Sequence, residues 1–132
     1  MKSIRIIVAG SRTCSDYKLI SKVLSKYVKT CIDNGIHPEF VSGGCRGVDT
    51  IAEMFCKQNN YPIRVFKADW EMYGKRAGYL RNKQMADYAA ETGGILIAFW
   101  DGESRGTKMM IKLAKMSGLC VKVFTTGGNN DT

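Results

Sequence analysis

The stretch Phe40–Asp49, FVSGGCRGVD, sets three glycines and an arginine between an apolar run and the start of a helical pattern. Glycines let a backbone approach a ligand closely, and the N–H groups that open a helix offer partial positive charge to an anion. Phosphate is the anion that fits, with Gly43, Gly44 and Gly47 shaping the loop and Arg46 supplying charge. Ser104–Thr107, SRGT, repeats the device: Arg105 and Gly106 stand between the hydroxyls of Ser104 and Thr107. A shorter version, Gly10-Ser11-Arg12, follows the first apolar run. Taken singly, each loop is also what an ordinary strand-ending turn looks like.

The arginines strengthen the phosphate reading. Of seven, only Arg5 and Arg64 fall inside strand-like runs; Arg12, Arg46, Arg76, Arg81 and Arg105 all follow one. Guanidinium is the side chain suited to bidentate capture of phosphate. The general polarity of loops accounts for one or two such positions, whereas five of seven points to an anionic ligand. Two carboxylates accompany them. Asp49 is a candidate acid or ribose ligand, or simply a helix first-turn carboxylate; Asp101 is a candidate base or hydroxyl ligand, or a turn-former before Gly102. Trp70 and Tyr73 could stack on a base or pack as a lid. Trp100 reads as core, Glu71 and Glu103 as solvated, and His37 as a loop residue. Cys45 lies beside Arg46 but lacks a histidine partner for nucleophilic work.

These groups need a scaffold, and the pattern supplies one. Strand-like runs at Ile4–Ala9, Glu39–Ser42, Pro62–Ala68, Ile95–Trp100 and Cys120–Phe124 alternate with helical patterns. One helix starts near Asp16, with Ile20, Val23, Leu24, Tyr27, Val28, Cys31 and Ile32 on its buried stripe, and stops at Asn34-Gly35. Another buries Val48, Ile51, Ala52 and Phe55 and runs to Asn59-Asn60. Asp69–Gly78 reads as a polar and aromatic connection. It leads to a helix burying Met85, Ala86, Ala89 and Ala90. The last helix buries Met110, Leu113, Ala114 and Ser117 and ends at Gly118. Apolar strands alternating with helices predict an α/β, Rossmann-like doubly wound domain of about five mainly parallel strands, with Ile95–Trp100 the central one. Ligands of such a sheet bind beyond the carboxyl ends of its strands, where all five arginines fall.

Composition narrows the partners. The 132 residues suit one domain, taken as 1–125 with a polar tail over 126–132. Five scattered cysteines and a single histidine predict neither a disulfide framework nor a metal site. No apolar run approaches the ~20 residues that span a bilayer, and no signal peptide opens the chain, so a cytoplasmic protein without membrane contact is expected. The net charge of +8 is spread along helical lysines rather than gathered in a basic run. There is no G-x-G-x-x-G after the first strand and no G-K-[ST] anywhere, so neither an NAD site nor a P-loop is expected, and no cofactor is called for.

Gly10–Arg12, Gly43–Asp49, W-x-x-Y-G-x-x-A-G-x-x-R-N over Trp70–Asn82, Met85, and DGESRGT over Asp101–Thr107 occur in that order. Together they resemble the YspA/YpsA-related branch of the SLOG superfamily. That superfamily also holds LOG-type nucleotide phosphoribohydrolases and the Rossmann domain of DNA-processing protein A. The resemblance spans about residues 4–124 and implies a Rossmann-like fold whose loops bind a nucleotide or a nucleotide-derived ligand, in a chain that forms a dimer or larger homo-oligomer. LOG hydrolases carry P-G-G-x-G-T-x-x-E; here Met110 stands at the glutamate position and Asp101-Gly102-Glu103 where P-G-G should be. Hydrolysis of the LOG type is therefore not implied. The leading expectation is binding of a phosphorylated nucleoside derivative. Arg12, Arg46, Arg81 and Arg105 would hold phosphate, and Asp49, Asn82 and Asp101 would address the ribose. The alternatives are N-glycosidic hydrolysis of a nucleotide through Asp49 or Asp101, and single-stranded DNA binding.

Overall fold

The computed structural model describes residues 2–126. Of the polar tail expected over 126–132, residues 127–132 lie outside the described residues. The β-branched run at the start forms β1 (Ser3–Gly10), whose side chains alternate between two cores. Ile6 and Val8 enter one, Ile7 and Ala9 the other. Burial on both faces is why the strand is a continuous apolar run rather than an alternating one. Asp16 then caps α1 (Tyr17–Asp33), accepting from the Leu19 N–H at 3.1 Å. The helix closes at Asn34 and Gly35, whose φ of 68° is the left-handed turn such a stop requires.

β2 (His37–Ser42), α2 (Val48–Asn59) and β3 (Ile63–Val65) follow. Next come the one-turn helix α3 (Trp70–Tyr73), a 3₁₀ turn (Gly74–Arg76), α4 (Ala77–Ala90), β4 (Ile95–Trp100), α5 (Arg105–Met116) and β5 (Cys120–Thr125). All strand pairs are parallel and the order is β3-β2-β1-β4-β5. α1 and α2 pack on the Ile6, Val8, Phe40 and Ile97 face; α4 and α5 cover the Ile7, Val41, Leu96 and Ala98 face. This is the single Rossmann-like α/β domain that the sequence pattern predicts. The strand order reverses between β1 and β4, and that switch point opens a crevice at their carboxyl ends.

Several details differ from the sequence reading. β3 is three residues rather than Pro62–Ala68, because as an edge strand it pairs only with β2. The expected connection at 69–78 is mostly helical, a four-residue turn being too short to show periodicity. His37 opens a strand instead of lying in a loop, its N–H donating to the Lys2 carbonyl at 2.9 Å. Ile32 and Ala90, placed on buried stripes, are exposed in the last turns of their helices. Ser117 is half-buried as the C-cap of α5. β4 is an interior strand, but β1 holds the centre. Trp100 is half-buried, and its indole N–H donates to the Ser104 carbonyl at 3.0 Å, stapling the β4–α5 loop.

The amino end of the sheet is closed by charge. Arg5 donates to Glu39 Oε1 (3.2 Å), Glu91 Oε1 (2.6 Å) and the Tyr88 carbonyl (2.7 Å), and its guanidinium lies 3.6 Å from the Tyr88 ring centroid. The Tyr88 hydroxyl in turn donates to Glu39 Oε2 at 2.6 Å. At the opposite end, packing at Gly10 leaves no room for a side chain. A Cβ there would stand 2.4 Å from the Phe99 carbonyl oxygen and 2.5 Å from Val48 Cγ2, while one at Gly106 would meet nothing within 4 Å. Gly10→Ala is expected to cost about 2 kcal/mol or more in urea unfolding, because neither β4 nor α2 can retreat. Gly106→Ala should leave stability unchanged or raise it by about 0.5 kcal/mol.

Candidate functional site

The crevice at the switch point is a cleft of about 250 Å³. The end of β1 contributes Gly10 and Arg12, and the glycine loop before α2 contributes Cys45 and Asp49. The first turns of α4 bring Arg81, Asn82 and Met85; the start of α5 brings Ser104, Gly106, Thr107 and Met110. Four separate chain segments thus meet where the strand order reverses.

Arg81 is the centre of the arrangement. It is 8% exposed, lies in the first turns of α4 and reaches across to the glycine loop. Its Nη1 donates to the Gly43 carbonyl and contacts Cys45 Sγ at 3.6 Å, and its Nε donates to Asn82 Oδ1 at 2.8 Å. Among the described residues Nη2 has no hydrogen-bond acceptor. Asn82 Nδ2 reaches the Gly106 carbonyl at 3.4 Å, so α4 and α5 are tied at the cleft edge.

Asp49 faces Arg81 across Gly43. It is 6% exposed and accepts from the Cys45 N–H at 3.1 Å. A Cβ added to Gly43 would lie 2.9 Å from Arg81 Nη1 and 3.0 Å from Asp49 Oδ2, which shows how closely the two side chains converge on that glycine. Burial pushes the Asp49 carboxyl up to about 6; the Cys45 N–H and the Arg81 charge pull it back down. Glu53, one turn along α2, raises it further.

The glycine loop is largely satisfied from within. The Gly44 N–H donates to Ser42 Oγ at 3.1 Å, the Cys45 N–H to Asp49, and the Val48 N–H to the Ser11 carbonyl at 3.3 Å. α5 differs. Its cap, Ser104, takes the Thr107 N–H at 3.4 Å and the Lys108 N–H on its carbonyl at 3.1 Å. The N–H groups of Arg105 and Gly106, at the head of the helix, have no intrahelical acceptor, and the space above Gly106 is open.

Eight of the residues singled out in the sequence line the cleft: Gly10, Arg12, Asp49, Arg81, Asn82, Ser104, Gly106 and Thr107. Gly43 lies buried behind Arg81 and Asp49, and Gly47 sits against the backbone of Ser11 and Arg12. Ser11 is buried, its hydroxyl without a hydrogen-bond partner among the described residues. Gly44, Arg46, Arg105 and Trp70 are exposed and outside the lining, as is Arg76. Asp101 is also outside it: its Oδ1 accepts from the N–H groups of Ser104 and Glu103, both at 2.8 Å, and these bonds hold its carboxyl below the usual range. Sequence reasoning left Ala9, Cys45, Met85 and Met110 out of the binding set, and all four line the cleft. The two methionines follow Arg81 and Thr107 at helical spacing, the one signal that could have found them.

The family now follows from comparison. Residues 4–73 match the family described as YspA, cpYpsA-related SLOG family. The gene 61 protein of Mycobacterium phage D29 is 30% identical over 125 residues, covering 91% of this chain and 95% of that protein. The chain belongs to the YspA/YpsA-related SLOG family. Among solved structures, DNA processing protein A (DprA) from Streptococcus pneumoniae superposes with a TM-score of 0.73 over 95% of this SLOG chain at 18% identity. At that identity the likeness is one of fold. This SLOG chain spans about half of that protein, 51% of its length. Among the described residues of the SLOG domain, no helix is long and apolar enough to cross a membrane.

The buried Asp49 has a measurable consequence. Its native value near 6 lies above the ordinary 3.8, so the folded state holds the proton more tightly than the unfolded chain. Its contribution to stability is therefore greatest below about pH 4 and is lost as pH rises toward about 6. Asp49→Asn keeps an acceptor for the Cys45 N–H and removes the titration. Relative to wild type, the variant is expected to gain stability on the order of 2 kcal/mol between about pH 4 and pH 7. Urea unfolding across that range measures it, and a pH-independent difference would contradict it.

Proposed function

We propose that this SLOG domain binds a nucleotide or a related phosphorylated nucleoside in the switch-point cleft. The observation that carries this reading is the convergence of three anion-holding features on one small space. They are the buried Arg81 guanidinium, whose Nη2 has no acceptor among the described residues, the exposed Arg12 just after β1, and the open N-terminus of α5 at Gly106. Charge-assisted hydrogen bonds of this kind are among the strongest that proteins make. In this arrangement the phosphate lies over Gly106 and Thr107 within reach of Arg12, and the deeper Asp49 and Asn82 address ribose hydroxyls. Met85, Met110 and Ala9 give the cleft an apolar wall for the sugar or base.

A second reading, N-glycosidic hydrolysis, is favoured by one observation. Asp49 is a cleft carboxyl pushed up to about 6, which suits an acid that donates a proton near neutral pH. Asp101 is the weaker candidate, since its oxygen is committed to two backbone donors. Met110 adds no acid to the wall. A DNA-processing role, as in the name of the structural neighbour, draws less support, because only two of the five carboxyl-end arginines line the cleft.

Calorimetry with nucleoside 5′-monophosphates, the parent nucleosides and ribose 5-phosphate tests the binding reading. Phosphorylated compounds are expected to bind at least about tenfold more tightly than nucleosides, and Arg12→Ala to weaken them about tenfold. Arg46→Ala and Arg105→Ala, which remove arginines outside the lining, should have much smaller effects. Equal affinity for nucleosides, or no loss in Arg12→Ala, rejects the proposal. Release of free base from a bound monophosphate, abolished in Asp49→Asn, would establish the hydrolytic reading instead.

A further inference from the structure

Asp69–Tyr79, the arm between β3 and α4, leaves large apolar side chains in water. Trp70 is 53% exposed, Met72 71%, Tyr73 48% and Tyr79 44%, the densest such run in the described chain. The arm is folded rather than loose. Asp69 caps α3 by accepting the Met72 N–H at 3.0 Å, and the Trp70 ring lies over Gly78, 3.5 Å from where a Cβ would stand. A run of exposed apolar side chains on ordered backbone is the kind of feature that interaction surfaces carry.

The charges on the arm indicate what covers it. Its start carries Asp69 and Glu71, its end Lys75 and Arg76, and none of the four is in an ion pair among the described residues. The arm is thus locally neutral with its two signs separated along its length. The two lysine-rich helix faces of this +8 chain are not. α1 exposes Lys18, Lys22 and Lys26, and α5 exposes Lys108, Lys112 and Lys115 with no carboxylate in the helix. A second copy brought against α1 or α5 meets like charge. Brought two-fold against the arm, it sets the acidic end of each copy on the basic end of the other, around a shared aromatic centre. Glu71, between Trp70 and Met72, also disfavours the phosphates of a nucleic acid on the same surface.

We infer that the Asp69–Tyr79 arm is a self-complementary interface through which two copies of this chain pair. The pairing does not depend on what the cleft binds. Sedimentation equilibrium and light scattering of the full chain should find a reversible dimer, weakened by salt. Glu71→Arg and Arg76→Glu each place like charges opposite one another twice per dimer, and each is expected to weaken dimerisation about tenfold. An equimolar mixture of the two variants restores both attractive pairs, as does the double variant, and both should recover wild-type affinity. All four residues are exposed, and unchanged circular dichroism verifies that the variants fold. A monomeric wild type at high micromolar concentration overturns the inference, and so does a dimer indifferent to both substitutions or not rescued by mixing. Quenching of Trp70 fluorescence by a single-stranded oligonucleotide, with the protein monomeric, overturns it in favour of nucleic acid.

Discussion

The close approach of three backbones at the end of β1 governs the rest of the molecule. Gly10 touches the Phe99 carbonyl of β4 and Val48 of α2, with no room for a single methyl. One step away, Gly47 holds a φ of 79° and packs where a Cβ would lie 2.4 Å from the Ser11 carbonyl oxygen. The Val48 N–H closes the contact by donating to that same oxygen. These contacts draw the start of α2 onto the switch point. Asp49, one residue on, is thereby carried into the cleft instead of standing at the rim.

Once Asp49 is inside, its electrostatics follow. A buried carboxylate without compensation is costly, and its partners here are one N–H and a guanidinium on the far side of a glycine. Arg81 is held in the same way, by a carbonyl, a neighbouring amide and a sulfur, none of which carries a full charge. Two opposite charges therefore share a small volume without forming a direct ion pair. A ligand anion would complete the coordination of Arg81 while keeping Asp49 protonated to a higher pH. The cleft is unfinished as a set of charges, and the first N–H groups of α5 stand open beside it.

Much of this was legible in the sequence, for identifiable reasons. Continuous apolar strands announce a parallel sheet, and glycines after them announce close approaches, so the fold and eight cleft residues could be read. What could not be read was direction. Arg46 and Arg81 are both polar residues beyond a strand, yet one is exposed and the other is turned by α4 onto the glycine loop and buried. Met85 and Met110 follow Arg81 and Thr107 at helical spacing, but core residues share that periodicity, so the spacing alone does not separate cleft from core. Asp101 illustrates the converse, a well-placed carboxylate whose acceptor is used up by its own turn.

The Arg5 network has a consequence for how this domain can change. It gathers a half-buried cation, two carboxylates and an aromatic ring at the amino end of the sheet, the end opposite the cleft. Cohesion and the candidate site thus occupy opposite poles of one sheet. On the proposed reading, replacements among Arg12, Ser104, Thr107 or Met110 would alter what the mouth prefers without touching the Arg5 network. On that reading a lineage built on this scaffold would exchange ligands by small steps, provided β1, β4 and α2 stay in contact at Gly10.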